Sequence, residues 1–308
     1  MNENQLIEKI RQIVGPTGKK VVAGIGDDAA VVKWTRKKYL LVSCDTVMEG
    51  VHFLPGKITW QQVGRKSLAV SLSDIAAMSG LPLYAIISLG LPTGDRKLVA
   101  ELYQGINQLA KKYKVSLIGG NLTYSPKVFI DITVLGQVEK KLLVLRSGGS
   151  PGDKLFVTGT LGGTQDNHHF TFEPRIKLAR RLTSSVPVKA MMDISDGLAQ
   201  DLPRLASACR TGFFLYLDQL PFSSALLSLS RSKREAIWHA LTDGEDYELL
   251  FAVSRNQAHR VPSRVGDVRI TLIGELTPGE TAMVTGGRKL AFTPAGFDHF
   301  RRSAEKNE

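Results

Sequence analysis

The chain has 308 residues, of which 43% are hydrophobic and 22% are charged. This composition excludes a disordered chain, a collagen-like repeat and a small disulfide scaffold, and the length predicts two domains. The net charge of +11 predicts an anionic partner. Nucleic acid, an acidic membrane and a phosphorylated small molecule all fit this charge.

Signals for export and membrane insertion are missing from the sequence. The N-terminal residues lack a basic segment followed by an apolar one, so no signal peptide is predicted. The longest mostly apolar run, residues 81–91, is shorter than the roughly 18–20 residues of a membrane span. Cys44 and Cys209 lie far apart and are interpreted as reduced thiols. We therefore expect a cytoplasmic protein that does not enter a membrane.

The N-terminal half alternates patterns that are typical of helices and strands. Apolar residues at helical spacing predict helices over 5–14, 60–78 and 95–113. Runs rich in β-branched and aromatic residues predict strands over 29–34, 39–44, 83–89, 115–118 and 128–138.

A basic, glycine-rich stretch over 139–153 predicts a boundary between a domain of residues 1–138 and a domain of residues 139–308. Beyond it, the patterns predict helices over 173–182 and 197–209, strands over 154–158, 190–194, 213–217 and 248–253, and a β-rich tail. This alternation favours a two-domain protein of the α/β (α+β) class.

Aspartates recur in short loops flanked by glycine or serine, whereas a P-loop and a His-Glu-x-x-His motif do not occur. The loops contain Asp27, Asp28, Asp45, Asp74, Asp193, Asp196, Asp243 and Asp246. Carboxylates brought together raise one another's pKa and cost free energy unless a cation neutralises them. Such oxygen ligands suit Mg²⁺ or Mn²⁺. The alternative is that each aspartate caps a helix or stabilises a turn.

Three segments predict contacts to phosphate or metal. Asp193 and Asp196 follow an apolar run and precede Gly197, which places them between a strand end and a helix N-terminus. Gly-Gly-Asn at 119–121 is interpreted as a phosphate-binding turn after a strand, or as an ordinary turn. Arg146, beside glycines, is a candidate phosphate clamp, or else an exposed linker arginine.

The sequence contains an ordered series of motifs: GIGDDAA (24–30), DTVMEGVHF (45–53), LSDIAAM (72–78), GGN (119–121), RSG (146–148), PGD (151–153), VTGTLG (157–162), DISDGL (193–198), DGEDYELLF (243–251) and GFDHF (296–300). This series resembles the thiamine-monophosphate kinases, in the superfamily of aminoimidazole ribonucleotide and selenophosphate synthetases. The resemblance extends from about residue 20 to residue 300.

The resemblance implies ATP-dependent phosphorylation of thiamine monophosphate with several Mg²⁺ ions. It also implies a homodimer whose N-terminal α/β domains pair into a barrel-like sheet, and a C-terminal α/β domain with a mixed sheet flanked by helices. The implied metal ligands are Asp28, Ser43, Cys44, Asp45, Asp74, Asn121, Asp193 and Asp196. The implied ATP contacts are Tyr103, Gly120, Asn121, Arg146 and Ser195. The implied substrate contacts are His52, Glu245 and Phe297.

The second pKa of the acceptor phosphate is about 6, so this phosphate is mostly a dianion at neutral pH. We therefore expect no obligatory base. We also expect direct transfer, without a covalent nucleophile. Glu245 would pair with the cationic thiazolium or with the amino group of the pyrimidine, and Phe297 would stack on a ring. The alternatives to substrate contact are core packing for Phe297, a structural role at a strand end for His52 and an indirect role for Glu245.

This sequence departs from the resembled pattern at three places. Asn121 replaces an aspartate, which predicts a weaker metal site, and Cys44 replaces a threonine. Residues 162–172 are shorter than the corresponding helix, which puts local packing in question.

Three other functions stay open from the sequence. One is a different ATP-dependent activity of the same superfamily, and another is a binding protein that has lost catalysis. The third is nucleic-acid binding through the basic runs 36–38 and 231–234. The runs lack interleaved aromatic residues, so we expect no nucleic-acid partner.

Overall fold

A computed structural model describes residue 1, residues 3–164 and residues 167–300. The helices are α1 (Glu3–Val14), α2 (Trp60–Ala77), α3 (Arg96–Tyr113), α4 (His168–Thr171), α5 (Ile176–Ser185), α6 (Leu198–Ala208), α7 (Ser224–Leu229) and α8 (Lys233–Thr242). The first seven strands are β1 (Val21–Ala23), β2 (Ala30–Lys33), β3 (Lys38–Met48), β4 (Leu81–Leu91), β5 (Ser116–Tyr124), β6 (Phe129–Glu139) and β7 (Lys154–Thr158). The others are β8 (Val188–Asp193), β9 (Gly212–Tyr216), β10 (Leu249–Val253), β11 (Arg264–Val265), β12 (Val268–Thr277), β13 (Thr281–Thr285) and β14 (Arg288–Ala291). Among the helices described, none has the length and apolar character needed to cross a bilayer.

The strands up to Glu139 form one six-stranded sheet in the order β1-β2-β3-β6-β4-β5. Only its edge pair, β4 with β5, is parallel. Helices α2 and α3 cover one face, where Leu41 and Ile132 of the sheet share a core with Leu68 of α2. Burying the apolar face of the sheet beneath two helices is what makes this half stable.

The strands from Lys154 onward form an eight-stranded mixed sheet, in which β13 pairs in parallel with β9. One face packs against α6 and α8, and the other packs against α5. Both halves are therefore layered α/β structures, as the sequence predicted, and the C-terminal sheet is mixed and flanked by helices.

Helix α2 starts where the sequence provides a cap. The Thr59 side chain accepts a hydrogen bond from the Gln62 backbone N–H, and the Gln62 side chain accepts one from the Thr59 N–H. Asp95 caps α3 in a similar way, with its carboxylate accepting from Lys97 N and Leu98 N. These caps satisfy backbone donors that no helical partner reaches.

The interpretation of Gly-Gly-Asn as a turn is wrong. Strand β5 continues through these residues to Tyr124, because parallel pairing with β4 satisfies its backbone. A Cβ on Gly120 would lie 1.9 Å from the Ile87 carbonyl oxygen. Glycine at this position therefore allows a close approach of two strands within the sheet.

Helices α2 and α3 approach closely at Gly64 and Gly105. A Cβ on Gly105 would lie 1.9 Å from the Gln61 carbonyl oxygen, and a Cβ on Gly64 would lie 2.0 Å from that of Leu102. The absence of a side chain at each glycine thus leaves room for the backbone of the opposite helix.

We expect Gly105→Ala to lower the free energy of unfolding by about 2 kcal/mol, because the added methyl group forces the two backbones apart. Helix propensity alone would favour the alanine by about 1 kcal/mol. Urea unfolding measures the difference, with the exposed Gln104→Ala on the same helix as the control. An increase in stability for Gly105→Ala would contradict this packing.

Candidate active site

A cavity of about 770 Å³ lies between the two halves of the molecule. It is lined by residues from both sheets, from α2 and from the N-terminal helix α1. The predicted site residues that line it are Asp28, Cys44, Asp45, His52, Asp74, Arg146, Asp193, Ser195, Asp196, Glu245 and Phe297. Most of the site predicted from the sequence therefore converges on one cavity.

Three carboxylates lie together at the acidic end of the cavity. Asp28 comes from the loop before β2, Asp74 from α2 and Asp193 from the end of β8, and one oxygen of each lies within 4.8 Å of the others. Burial, together with the charges of Asp45 and Asp193, raises the pKa of Asp74 well above its ordinary value. Burial and the charge of Asp28 do the same to the pKa of Asp193. A divalent cation would relieve this repulsion.

Serine hydroxyls and one guanidinium hold these carboxylates in place. Ser73 Oγ donates to Asp193 Oδ2 at 2.5 Å, and Ser43 Oγ donates to Asp74 Oδ2. Arg146 Nη2 lies 2.7 Å from Asp28 Oδ1. The other oxygen, Asp28 Oδ2, is buried and has no hydrogen-bond partner among the described residues. An all-oxygen donor set with an unpartnered carboxylate oxygen fits Mg²⁺.

Arg146 is tied to the loop that carries Asp27 and Asp28. Its backbone N–H donates to both carboxylate oxygens of Asp27, at 3.2 and 3.3 Å. Burial and the charge of Asp28 raise the pKa of Asp27 to about 6. Burial alone would lower the pKa of Arg146, but the adjacent Asp28 raises it, so the guanidinium stays charged.

Alternation along β3 separates two predicted ligands. The Asp45 side chain interacts with Asp74 and Ser71 of α2, whereas the side chain of the preceding residue, Cys44, is exposed. Cys44 Sγ lies 3.2 Å from Asp131 Oδ1, and Thr46 Oγ1 donates to Asp131 Oδ2 at 2.7 Å. The sequence analysis did not select Asp131, because it lies within a predicted strand without a flanking glycine or serine.

The loop between β8 and α6 is held by two residues that the sequence analysis did not select. Asp201 Oδ2 accepts from the backbone N–H groups of Ser195 and Asp196, each at 3.0 Å. Arg204 contacts Asp196 and donates to Asp201 Oδ1 at 2.8 Å. Burial and the charge of Asp196 raise the pKa of Asp201 to about 7. The position predicted for Asp193 and Asp196, between strand and helix, is confirmed.

The other end of the cavity contains His52, Glu245 and Phe297. The Phe297 N–H donates to the Asp196 carbonyl oxygen at 3.0 Å, which places the C-terminal segment beside the acidic loop. His52 Nδ1 accepts from Met48 N at 3.0 Å. Burial and the charge of Lys66 lower the pKa of His52 to about 4, so this ring is neutral at pH 7.

Lys66 lies beneath this end of the cavity, and its side chain is completely buried. Its ammonium donates to the His52 carbonyl oxygen at 3.0 Å and pairs with Glu245 Oε1. The hydrophobic pattern of α2 predicts a buried helix but gives no reason to expect a buried cation there. Lys66 is therefore a component of the site that the sequence analysis missed.

Three predicted ATP contacts lie away from the cavity. Tyr103 packs on the N-terminal core from α3, while Gly120 and Asn121 lie on the exposed edge strand β5. The strand registers place Asn121 in one row across the sheet with Ser88, Asp131 and Thr46. Within one chain, three strand spacings of about 4.8 Å each separate Asn121 from Thr46.

The segment over 162–172, which the sequence analysis interpreted as shortened, is well packed where it is described. Residues 165 and 166 lie outside the described residues, while Phe170 and Phe172 are buried. The Phe172 ring stacks on Tyr247 with centroids 4.1 Å apart. Arg65 Nη1 donates to the Phe170 carbonyl oxygen at 3.0 Å. The short helix α4 therefore has its own packing partners.

Family models match both halves of this two-sheet fold. Residues 26–138 match the model for the AIR synthase related protein, N-terminal domain. Residues 150–286 match the model for the C-terminal domain of the same family. The chain is thus an AIR synthase-related protein.

Closer comparisons refine this class. The chain is 39% identical to the thiamine-monophosphate kinase of Rhodopirellula baltica, over 91% of this chain and 92% of that protein. It is 33% identical to that of Bacillus subtilis, over 91% and 94%. The structure of AaThiL complexed with AMPPCP and TMP superimposes with a TM-score of 0.83 at 31% identity, covering 97% of each chain. The chain belongs to the thiamine-monophosphate kinase family.

We expect Asp74→Asn to stabilise the metal-free protein increasingly as pH rises. In the wild type, folded Asp74 keeps its proton at pH values where the unfolded chain has lost it. Folded protein then binds more protons than unfolded protein, so wild-type stability falls with rising pH, by up to about 1.4 kcal/mol per unit. Asparagine does not titrate and removes this slope.

Urea unfolding of chelator-treated protein at pH 5, 6 and 7 measures this difference, with the exposed Asp267→Asn as the control. Adding Mg²⁺ is expected to stabilise the wild type more than Asp74→Asn. A stability difference that is independent of pH and unchanged by Mg²⁺ would show that the cluster is not strained by charge.

Proposed function

We propose that this chain transfers the γ-phosphoryl group of ATP to thiamine monophosphate and so forms thiamine diphosphate. The main support is the cavity, which joins three clustered carboxylates to a second end formed by His52 and Glu245. A cavity of this kind accommodates a polyphosphate at one end and an organic ring system at the other. Relatives named thiamine-monophosphate kinase match along nearly the whole chain.

Several Mg²⁺ ions belong to this proposal. The proposed ligands are Asp28, Ser43, Cys44, Asp45, Asp74, Asp193 and Asp196, with Asn121 supplied by a second copy of the chain. When bound, Mg²⁺ would offset the repulsion between the two phosphorylated substrates. Cys44 would contribute through its backbone carbonyl, because its thiol faces Asp131 and not the carboxylate cluster.

Direct transfer fits the residues present. A phosphate oxygen of thiamine monophosphate forms a bond to the γ-phosphorus, the bond from that phosphorus to the β,γ-bridging oxygen breaks, and ADP leaves. The acceptor phosphate is mostly a dianion at neutral pH, so no base is needed, and the neutral His52 need not remove a proton. Arg146, held beside Asp28, is placed to donate hydrogen bonds to phosphate oxygens.

A homodimer is also part of the proposal. Strand β5 lies at the edge of the sheet and exposes Ile118, Leu122 and Tyr124. Such an apolar edge needs cover, and a second copy would provide it by extending the two N-terminal sheets into a barrel. Gly120 and Asn121 would then contact ATP across that interface.

Other readings have weaker support. The cavity is acidic, which opposes binding of a nucleic-acid backbone, and the basic runs lie outside it. The cytoplasm, where ATP is available, stays the predicted compartment. A binding protein without catalysis would retain the cavity but would form no product.

We expect purified protein to convert thiamine monophosphate, ATP and Mg²⁺ into thiamine diphosphate and ADP. Asp193→Asn should lower kcat about 100-fold or more, because metal-ion stabilisation of the transition state contributes several kcal/mol. The exposed Asp267→Asn is the control. Folded wild-type protein that forms no thiamine diphosphate would refute the proposed function.

The same assay tests direct transfer. With γ-labelled ATP and no acceptor, we expect the protein to stay unlabelled after denaturation. Label that remains covalently bound, and that moves to thiamine monophosphate when it is added, would show a phosphorylated enzyme intermediate instead.

We expect Leu122→Glu to give a monomer, because the charge would be buried in the proposed interface at a cost of several kcal/mol. Leu229→Glu is a matched control, since Leu229 is 67% exposed on α7 and Leu122 is 66% exposed on β5. Sedimentation analysis distinguishes the two states. An unchanged dimer in Leu122→Glu would place the interface elsewhere.

A further inference from the structure

Phosphoryl transfer as proposed above does not involve the fully buried Lys66. Its ammonium reaches three groups: the Glu245 carboxylate, the His52 carbonyl oxygen at 3.0 Å and the ring of Phe170, whose centroid is 5.1 Å away. A buried ammonium is stable only when it is paired and hydrogen-bonded. These contacts supply both conditions.

The Lys66 contact changes what Glu245 can recognise. Lys66 Nζ contacts Glu245 Oε1 as an ion pair beneath the cavity, and the charge of Glu245 opposes the decrease that burial causes in the pKa of Lys66. An ion pair has no net charge. Glu245 therefore presents little charge to a cationic ring in the cavity, although its side chain is 28% exposed there.

The two carboxylate oxygens of Glu245 are not equivalent. Oε1 is occupied by Lys66, whereas Oε2 lies 4.0 Å from His169 Nδ1 and accepts no hydrogen bond from the described residues. His169 Nδ1 lies 2.6 Å from the Thr164 carbonyl oxygen, which can only accept, so the ring proton points to Thr164. Oε2 is thus left as an acceptor at the cavity wall.

We propose that Lys66 is a positioning residue that neutralises Glu245 and turns Oε2 toward the exocyclic amino group of the pyrimidine. The cavity then selects the molecule to be phosphorylated by that amino group and not by the positive charge of the thiazolium. This inference rests on the proposed function, and it decides between the two roles that the sequence left open for Glu245.

The arrangement has a distinctive consequence for Glu245→Gln. The Lys66 ammonium has three donors and no acceptor, so the amide oxygen of glutamine would face Lys66 and its NH₂ group would face the cavity. A substrate with an amino group would then place one hydrogen-bond donor against another, the NH₂ group of residue 245. A substrate with a carbonyl oxygen at the same position would accept a hydrogen bond from that NH₂ group.

The first experiment uses the wild type with two analogues of thiamine monophosphate. One has a carbonyl oxygen in place of the exocyclic amino group, and the other has a neutral ring in place of the thiazolium. We expect kcat/KM to fall about 10–100-fold for the carbonyl analogue, mainly through KM, because a buried acceptor loses its donor. We expect a change of about threefold or less for the neutral-ring analogue.

A loss for the neutral-ring analogue that equals or exceeds the loss for the carbonyl analogue would overturn the inference. So would equal kcat/KM values for the carbonyl analogue and thiamine monophosphate. Because turnover of thiamine monophosphate is measured in the same assay, failure of the proposed function is recognised separately as an absence of thiamine diphosphate.

The second experiment tests the role of Lys66 itself. We expect Glu245→Gln to reverse the preference and favour the carbonyl analogue over thiamine monophosphate. We expect the double variant Lys66→Met with Glu245→Gln to lose this reversal, because the amide is then free to rotate. Lys112→Met in the Glu245→Gln background is the matched control, since Lys112 pairs with Glu173 at 2.7 Å outside the cavity.

Thermal unfolding establishes that each variant is folded. A reversal that persists without Lys66 would show that Lys66 does not orient residue 245. If the double variant does not fold, the reversal in the Glu245→Gln single variant and the wild-type analogue series still decide the inference.

Discussion

The structure depends on placing three carboxylates within 4.8 Å of one another in a protein interior. Mutual repulsion and desolvation oppose this arrangement, so the surrounding groups are organised to limit the cost. Ser43 and Ser73 donate hydrogen bonds, and Arg146 forms an ion pair with Asp28. The residual repulsion is relieved either by a proton, as the raised pKa of Asp74 indicates, or by a bound cation.

The distribution of charge follows from this constraint. The chain carries a net charge of +11, yet its principal cavity is lined by aspartates. In the proposed function, basic residues at the surface would attract phosphorylated substrates over long distances, while the acidic cavity would accept phosphate only together with a metal ion. Lys66 extends the same principle to the other end of the cavity, where one buried cation cancels one carboxylate.

Sequence patterns predicted the parts of this molecule that depend on local rules. Hydrophobic spacing located α2 and α3, and clustered aspartates located most of the cavity. Lys66 and Asp131 were not predicted because they contact residues that are distant in sequence. Asp201 was not predicted because its hydrogen bonds depend on how the preceding loop folds against α6. Gly120 was misread because a glycine that permits close strand packing has the same local pattern as one in a turn. Tyr103 and Asn121 lie far from the cavity of their own chain, a fact that only tertiary structure reveals.

The origin of the carboxylates has a consequence for how the two halves of the chain are joined. Asp28 and Asp74 come from the N-terminal half, and Asp193 comes from the C-terminal half. A cation shared among them would act as a crosslink between the two halves. Neither half separated from the other contains all three ligands. The full set of three carboxylates therefore exists only where the two halves are packed together.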